Sequence, residues 1–169
     1  GAECVGIVRA VGPRVTRFAP GDRVINLQRE NWVQRRLVRE VDLIPVPTGI
    51  PDEQAAMLRI NPPTAALLLS DIVPLTPGDW VVQDVANSSV GRWIIRLAAR
   101  RGLRTVNIVR RESLFPALKS LGADACVVDG PDLGARVRAA TGGIAPALGI
   151  DAIGGDASVR VADAIRDGG

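Results

Sequence analysis

The sequence has no histidine and no tyrosine, and only two cysteines among 169 residues. Cys4 and Cys126 cannot build a Cys-x-x-Cys knuckle or a disulfide framework, and with no imidazole to complete a ligand set a zinc site is all but excluded. Lysine is nearly absent as well, Lys119 standing alone, so the net charge of +3 and the pI near 9.6 are carried by arginine. Those arginines are scattered, with short clusters at Arg35, Arg36 and Arg39 and at Arg100, Arg101 and Arg104. Aromatics make up 3% of the chain and do not interleave with these clusters, so no stacking platform forms and no nucleic-acid partner is expected. Such an arginine-for-lysine bias is more simply a codon-composition effect. No charged leader precedes an apolar core, and no apolar run reaches bilayer length. The chain therefore reads as soluble and unexported, with no membrane partner and with the cytoplasm as its default location.

What is present is enough apolar material, 47% of the residues, to bury a core in one domain or two partial ones. Val5, Ile7, Val8 and Val11 among small residues suit a strand within Gly1 to Gly12. Pro20-Gly21-Asp22 is a turn feeding a second strand at Arg23-Val24-Ile25, and Trp32 to Val38 and Leu43 to Val46 read as further short strands. Pro45, Pro47 and Pro51 then interrupt pairing, since each lacks an amide donor. From Asp52, which can cap a helix through Leu58, the texture becomes helical, and a second helix follows Asn61-Pro62-Pro63. The domain junction is placed near Asn61, giving segments 1–60 and 61–169.

Beyond the turn at Pro77-Gly78-Asp79, strands and helices alternate. Trp80 to Val85 is an apolar run of strand length, and the helix after it keeps Val90, Ile94, Ile95, Leu97 and Ala98 near one face, with Gly102 as its stop. Strand, helix and strand patterns then recur at Arg104 to Val109, Leu114 to Leu121, Ala125 to Val128, Leu133 to Ala140, Leu148 to Ile153 and Ala157 to Ile165. Alternation of this kind means right-handed βαβ units on a parallel sheet. In the dinucleotide-binding order 3-2-1-4-5-6 these strands are 1 to 4. Gly168-Gly169 falls where strand 5 is expected, so strands 5 and 6 are read as missing. A piece cut in this way is expected to be poorly stable, its exposed strand edges promoting association.

The turn between the first parallel strand and its helix is where anionic oxygen is favoured, because amides and the helix dipole converge there. Asn87, Ser88, Ser89, Val90 and Gly91 occupy it, although Gly91 alone remains of a G-x-G-x-x-G pattern. The same residues suit an ordinary small-residue helix cap, and both readings stay open. About 20 residues on, at the end of the second strand, NAD-binding proteins place an acid and NADP-binding ones an arginine. Arg110 and Arg111 stand there, planar and permanently charged, as a 2′-phosphate requires. The adjacent Glu112 could turn one arginine aside or repel phosphate.

Gln83-Asp84-Val85-Ala86-Asn87-Ser88-Ser89-Val90-Gly91, Gly102 to Arg110 and Ile60-Asn61-Pro62-Pro63-Thr64-Ala65 closely resemble the mitochondrial-type 2-enoyl thioester reductases. Ser120-Leu121-Gly122-Ala123-Asp124, Asp151-Ala152-Ile153-Gly154-Gly155, Gly1-Ala2-Glu3 and Pro20-Gly21-Asp22 extend the likeness over nearly the whole chain. The resemblance implies an α/β architecture, a partial Rossmann-type parallel sheet preceded by a partial GroES-like β domain, in the zinc-free medium-chain dehydrogenase/reductase superfamily. It implies NADPH as cofactor and an enoyl thioester or enone as small-molecule substrate, in a parent for which a homodimer is compatible. By the same resemblance Asn61 lies beside the nicotinamide, Asn87 to Val90 hold the diphosphate, and Arg110 carries over directly to the 2′-phosphate. Where the family has arginine, acid, arginine, this chain has Arg110, Arg111 and Glu112, so Arg111 is a substitute. The family's catalytic tyrosine corresponds to a position upstream of Gly1, so no catalytic residue is assigned, and the piece alone is expected to be inactive.

Reducing a 2-enoyl thioester takes hydride delivery to the β carbon, stabilisation of the enolate oxygen and protonation of the α carbon. With neither histidine nor tyrosine, no side chain is expected to supply a proton near neutral pH in the usual way. Asn61 orients a carboxamide or caps a helix; Trp32, Trp80 and Trp93 are expected as core or interface fillers, Cys126 as a buried small hydrophobe, and Asp151 as a polar residue within a strand. The alternatives are a zinc-free quinone or enone oxidoreductase and a non-catalytic module that kept the fold.

Overall fold

The computed structural model describes residues 1–169. It divides into two compact units, Gly1–Pro63 and Thr64–Gly169.

The first unit is built on a three-stranded antiparallel sheet in the order β1 (Gly6–Ile7), β2 (Arg23–Asn26), β3 (Leu43–Pro45). Phe18, Val24 and Leu43 form its small core, with Val8, Val15 and Val38 packed against them. Two expectations are corrected here. The strand read across Gly1 to Gly12 shrinks to two residues, and Trp32 to Val38 forms no strand. A strand exists only where a neighbour accepts its ladder of hydrogen bonds; in this segment no strand pairs, Trp32 and Leu37 are 89% and 98% exposed, and Val38 at its end packs against the core. Trp32 is accordingly not a core filler. The helix α1 (Asp52–Met57) starts at Asp52 itself, with Pro51 in the cap position. The Asp52 carboxylate is engaged by Arg23 and does not cap the helix.

The second unit is a three-layer α/β arrangement. Its parallel sheet has the order β6 (Ala125–Val128), β5 (Arg104–Val109), β4 (Trp80–Gln83), β7 (Leu148–Ile150). This is the expected order 3-2-1-4, with strand order reversing between β4 and β7. Side chains alternate across β4, and each face is covered. Trp80 and Val82 meet Val106, Ile108 and Val127 with Leu133 and Val137 of α5 (Leu133–Thr141) and Val161 of α6 (Asp156–Ala162). On the opposite face, Val81, Leu103 and Leu148 pack against Ala65 and Leu69 of α2 (Asn61–Ser70) and against Ile94 and Ala98 of α3 (Ser89–Arg100). Ile95 joins Ala86, Val109 and Leu118 of the short α4 (Phe115–Lys119) in a third cluster. Trp80 is thus a core residue, Trp93 is partly buried at the edge of the second cluster, and Cys126 is half-buried with its thiol pushed up by burial. No helix is long and apolar enough to cross a membrane.

Parallel pairing of β4 with β5 and β7, and of β5 with β6, puts the carboxyl ends of all four strands on one edge. The residues that follow each strand therefore meet along that edge, where ligands of open α/β sheets bind.

Candidate functional site

The site begins with a strained turn. Val85, immediately after Asp84, has φ = 43°, in the left-handed region. A β-branched residue held there costs on the order of 1–3 kcal/mol and persists only because its surroundings fix it. Here the Ala86 amide donates to the Ile108 carbonyl (3.3 Å) and the Ser88 amide to the Val85 carbonyl (2.8 Å). The turn lays the Ala86 backbone against the first turn of α3 at Gly91. A Cβ on Gly91 would sit 2.7 Å from the Ala86 oxygen and 2.8 Å from its Cα, so only glycine permits this approach.

Ser88 is the N-cap of α3, its Oγ accepting from the Gly91 amide at 3.1 Å, and the helix opens with no acidic residue in its first turn. The positive end of a 12-residue helix is therefore left without a protein counter-charge, as an anion site requires. Asn87 is exposed at the tip, and Arg92 reaches back to donate from Nε to its carbonyl at 3.1 Å, which brings a guanidinium to the loop. Ser88, Ser89 and Val90 are half-buried around it. Ser88→Ala is expected to lower stability by about 1 kcal/mol, and Ser88→Gly by less, as read by urea denaturation. Equal stability for all three proteins would show that the cap bond contributes nothing.

Arg110 and Arg111 follow β5 directly, on the same sheet edge as the Asn87 loop and beside it, because β4 and β5 are neighbours. Both are exposed and neither makes an ion pair. Glu112 starts a short 3₁₀ turn over Glu112–Leu114 capped by Arg111, and its carboxylate is bridged to neither arginine. Two free guanidinium forks remain available.

Asn61 belongs to the first unit, at the start of α2. Its Nδ2 donates to Glu3 Oε1 (3.0 Å) and to the Met57 carbonyl (3.4 Å). The side chain thus acts as a donor to preceding residues, and these bonds are not those of an N-cap acceptor.

Sequence reasoning missed two further features of the edge. Asp151 is not inside a strand: it follows β7 and is exposed, its carboxylate accepting from the amides of Ile153 and Gly154 and from Ser158 Oγ (2.7 Å). The neighbouring Asp84, followed by these donors, holds it well below the usual carboxylate range, at about 2. Asp84 is 5% exposed, and burial followed by the nearby Asp151 pushes its carboxyl up to about 7. A group that titrates near neutrality is therefore present, contrary to the expectation from the missing histidine and tyrosine. Beneath the loop lies a buried amide network: Gln83 Nε2 donates to the Gly91 carbonyl (3.0 Å) and to Asn107 Oδ1 (2.8 Å), and Asn107 Nδ2 to Thr105 Oγ1 (2.9 Å) and the Ala125 carbonyl (3.0 Å). The sequence signal was available, since a glutamine closes the apolar run of β4 and an asparagine separates Val106 from Ile108 in β5.

No protein-family model matches the chain. Among curated proteins, it is 34% identical over 177 residues to the mitochondrial enoyl-[acyl-carrier-protein] reductase of Dictyostelium discoideum, covering 100% of this chain and 51% of that protein. It is 44% identical over 135 residues to the human protein of the same name, covering 76% of this chain and 36% of the relative. Among solved structures, a variant of the enoyl thioester reductase Etr1p in complex with NADP and crotonyl-CoA superposes with a TM-score of 0.87 at 25% identity, over 100% of this chain and 53% of that one. The quinone oxidoreductase of Pseudomonas syringae superposes with a TM-score of 0.80 at 28% identity, over 98% and 52%. The chain spans at most about half the length of these relatives. The cytoplasmic expectation is overturned, because the curated relatives are mitochondrial by name. That expectation rested on missing export signals, and an organelle address is carried by targeting segments and leaves no trace in a folded core. Sequence and fold together make the chain a relative of the mitochondrial-type 2-enoyl thioester reductases, within the medium-chain dehydrogenase/reductase superfamily.

Proposed function

We propose that residues 61–169 carry the dinucleotide-binding part of an NADPH-dependent 2-enoyl thioester reductase, with 1–60 belonging to its GroES-like catalytic domain. The observation that carries this reading is the pairing, on one sheet edge, of a helix N-terminus lacking acidic residues with two unpaired arginines at the end of the adjacent strand. The residues present fit the cofactor: the loop offers amides and a dipole to a diphosphate, and the arginines offer planar forks to a 2′-phosphate. The complex of Etr1p with NADP and crotonyl-CoA supports both cofactor and substrate class.

In this reading Asn87, Ser88, Ser89, Val90 and Gly91 fix the diphosphate, with the Gly91 amide spent on the Ser88 cap. Arg110 is the main partner of the 2′-phosphate and Arg111 an auxiliary one. Asn61 is kept as a cofactor contact on the resemblance alone. When bound, NADPH supplies the hydride that reduces the β carbon of the enoyl thioester. The protein's part is to hold and orient, and no residue here is assigned to protonating the α carbon.

Arg110→Gln is expected to weaken NADPH binding by roughly ten- to a hundredfold, the equivalent of one charge-assisted contact, while leaving NADH within about twofold. Fluorescence titration of the two cofactors checks it, and equal losses for both would refute the assignment of Arg110. The likeness to the Pseudomonas syringae protein supports a second reading, a quinone or enone reductase. Parallel assays of the intact enzyme on crotonyl-CoA and on a quinone decide between them.

A further inference from the structure

The parallel register pairs Gln83 with Ile150, so the next residues on each strand, Asp84 and Asp151, stand side by side at the point where strand order reverses. Asp84 is bonded across that gap twice over. Its amide donates to the Ile150 carbonyl (3.0 Å), and its Oδ1 accepts from the Ala152 amide (2.8 Å). Its other oxygen, Oδ2, is buried without a hydrogen-bond partner. Asp151, by contrast, is surrounded by donors from its own loop and from Ser158 of α6, which suit an ionised carboxylate.

None of the nearby cations is paired with these two carboxylates: Arg92 of α3 is turned to the Asn87 carbonyl, and Arg110 and Arg111 follow β5 without an ion pair. What acts on Asp84 is burial, Asp151, the Ala152 amide and Asp129. Asp129, after β6, adds a further repulsion on Asp84, and its own counter-charge is Arg160 of α6, which grips it with two bonds of 2.8 and 2.9 Å. Asp156 at the start of α6 acts on Arg160. Asn107 and Ile108 of β5 and Ser89 to Gly91 of α3 bring no titratable group. Two adjacent carboxylates without a cation cannot both ionise cheaply, and the buried member keeps its proton. A proton on Oδ2 would also end the isolation of that atom by giving it a hydrogen to donate to the neighbouring carboxylate.

We propose that Asp84 and Asp151 hold a single proton between them, and that this proton latches the end of β4 to the loop after β7, keeping the crevice beside Asn87 to Gly91 closed-up for an anionic ligand. Loss of the proton puts two negative charges at the seam and a third charge source, the ligand's diphosphate, next to them. Binding a dinucleotide therefore favours the protonated pair. This ligand linkage rests on the proposed function above, whereas the latch itself does not.

Burial and Asp151 keep Asp84 protonated to about 7 in the fold, whereas an unfolded aspartate ionises in the ordinary carboxylate range. Between those limits the folded chain binds more protons than the unfolded one, so stability falls as pH rises through that window and levels off above about 7. Asp84→Asn keeps an acceptor for the Ala152 amide and places a permanent donor toward Asp151. It is expected to abolish the fall. Carbon-13 carboxyl titration of the whole chain without ligand should show one aspartate titrating near neutrality, a signal that disappears in Asp84→Asn and moves toward the ordinary range in Asp151→Asn. Wild-type carboxyls that all titrate in the ordinary range, or a stability profile shared with Asp84→Asn, would overturn the latch. With NADPH as probe, dissociation constants are expected to rise roughly tenfold more between pH 6 and 8 in the wild type than in Asp84→Asn, on which the nucleotide's own phosphate titration is identical. Parallel profiles would overturn the ligand linkage. A chain that shows the titration but binds neither NADPH nor NADH would retain the latch and refute the proposed function instead.

Discussion

Gly91→Ala is expected to destabilise the second unit by about 3 kcal/mol and to lower its melting temperature by roughly 4–8 °C for each kcal/mol lost. The sign is what makes the experiment decisive. Within a helix, glycine to alanine ordinarily stabilises by about 1 kcal/mol, through reduced backbone entropy in the unfolded chain. At Gly91 the new methyl group meets the oxygen, Cα and carbonyl carbon of Ala86 at 2.7 to 2.9 Å, all backbone atoms. They cannot rotate away, and the turn they belong to is already held in an unfavourable conformation at Val85. Gly149 of β7 offers the contrast: its added Cβ meets side-chain atoms of Val161 and Ile165 at 3.0 to 3.3 Å, which can shift. Gly149→Ala should therefore cost clearly less than Gly91→Ala. Thermal unfolding of both variants checks this, and a Gly91→Ala protein as stable as the wild type would show that the loop is free to move. Since the same displacement pushes the first turn of α3 off Ala86, NADPH binding should fall together with stability.

The close approach at Gly91 was legible only in part. Its position after an apolar strand and a small-residue turn marked it as a loop glycine, but that the neighbour is the Ala86 backbone depends on the bend at Val85, a residue type that gives no hint of a left-handed conformation. The parallel sheet was far easier to read. Apolar runs of strand length separated by amphipathic helices determine a βαβ topology almost by themselves, because right-handed crossovers leave few alternatives. In the first unit the strands at Arg23 and Leu43 were read correctly, whereas the pattern overreached at Gly1 to Gly12 and at Trp32 to Val38, where strand-like composition is not matched by a partner edge. Trp32, Val33 and Leu37 have the composition of a strand, yet nothing in their own segment says whether an edge awaits them. The Asp84–Asp151 pair was hidden for a related reason: each aspartate alone reads as a polar residue inside a strand, and only the register of β4 against β7 makes them neighbours.

Asn107→Ala is expected to cost about 3 kcal/mol, although the Asn107 amide hydrogen-bonds to Gln83, Thr105 and Ala125 and not to the loop or the arginines. Asn107 is fully buried, and its amide is the link by which Gln83 of β4 is joined to Thr105 and to the Ala125 carbonyl of β6. Removing it leaves a cavity and strands one Gln83 donor and the Ala125 acceptor in an apolar interior, where each orphaned group costs on the order of 1–3 kcal/mol. Gln83 holds the Gly91 carbonyl with its Nε2, and the Asn107 oxygen is what fixes the orientation of that amide. A loosened Gln83 thus carries the damage to the first turn of α3, and NADPH affinity should drop beyond what reduced stability explains. Replacing both amides by leucine removes donor and acceptor together, and should recover part of the loss, because an apolar pair demands no partners. A double-mutant cycle measures the coupling, expected at roughly 1–3 kcal/mol. Strict additivity of Gln83→Leu and Asn107→Leu would mean that the two amides act independently. The loop would then have to be held by the Ser88 cap and the Ala86 contact alone.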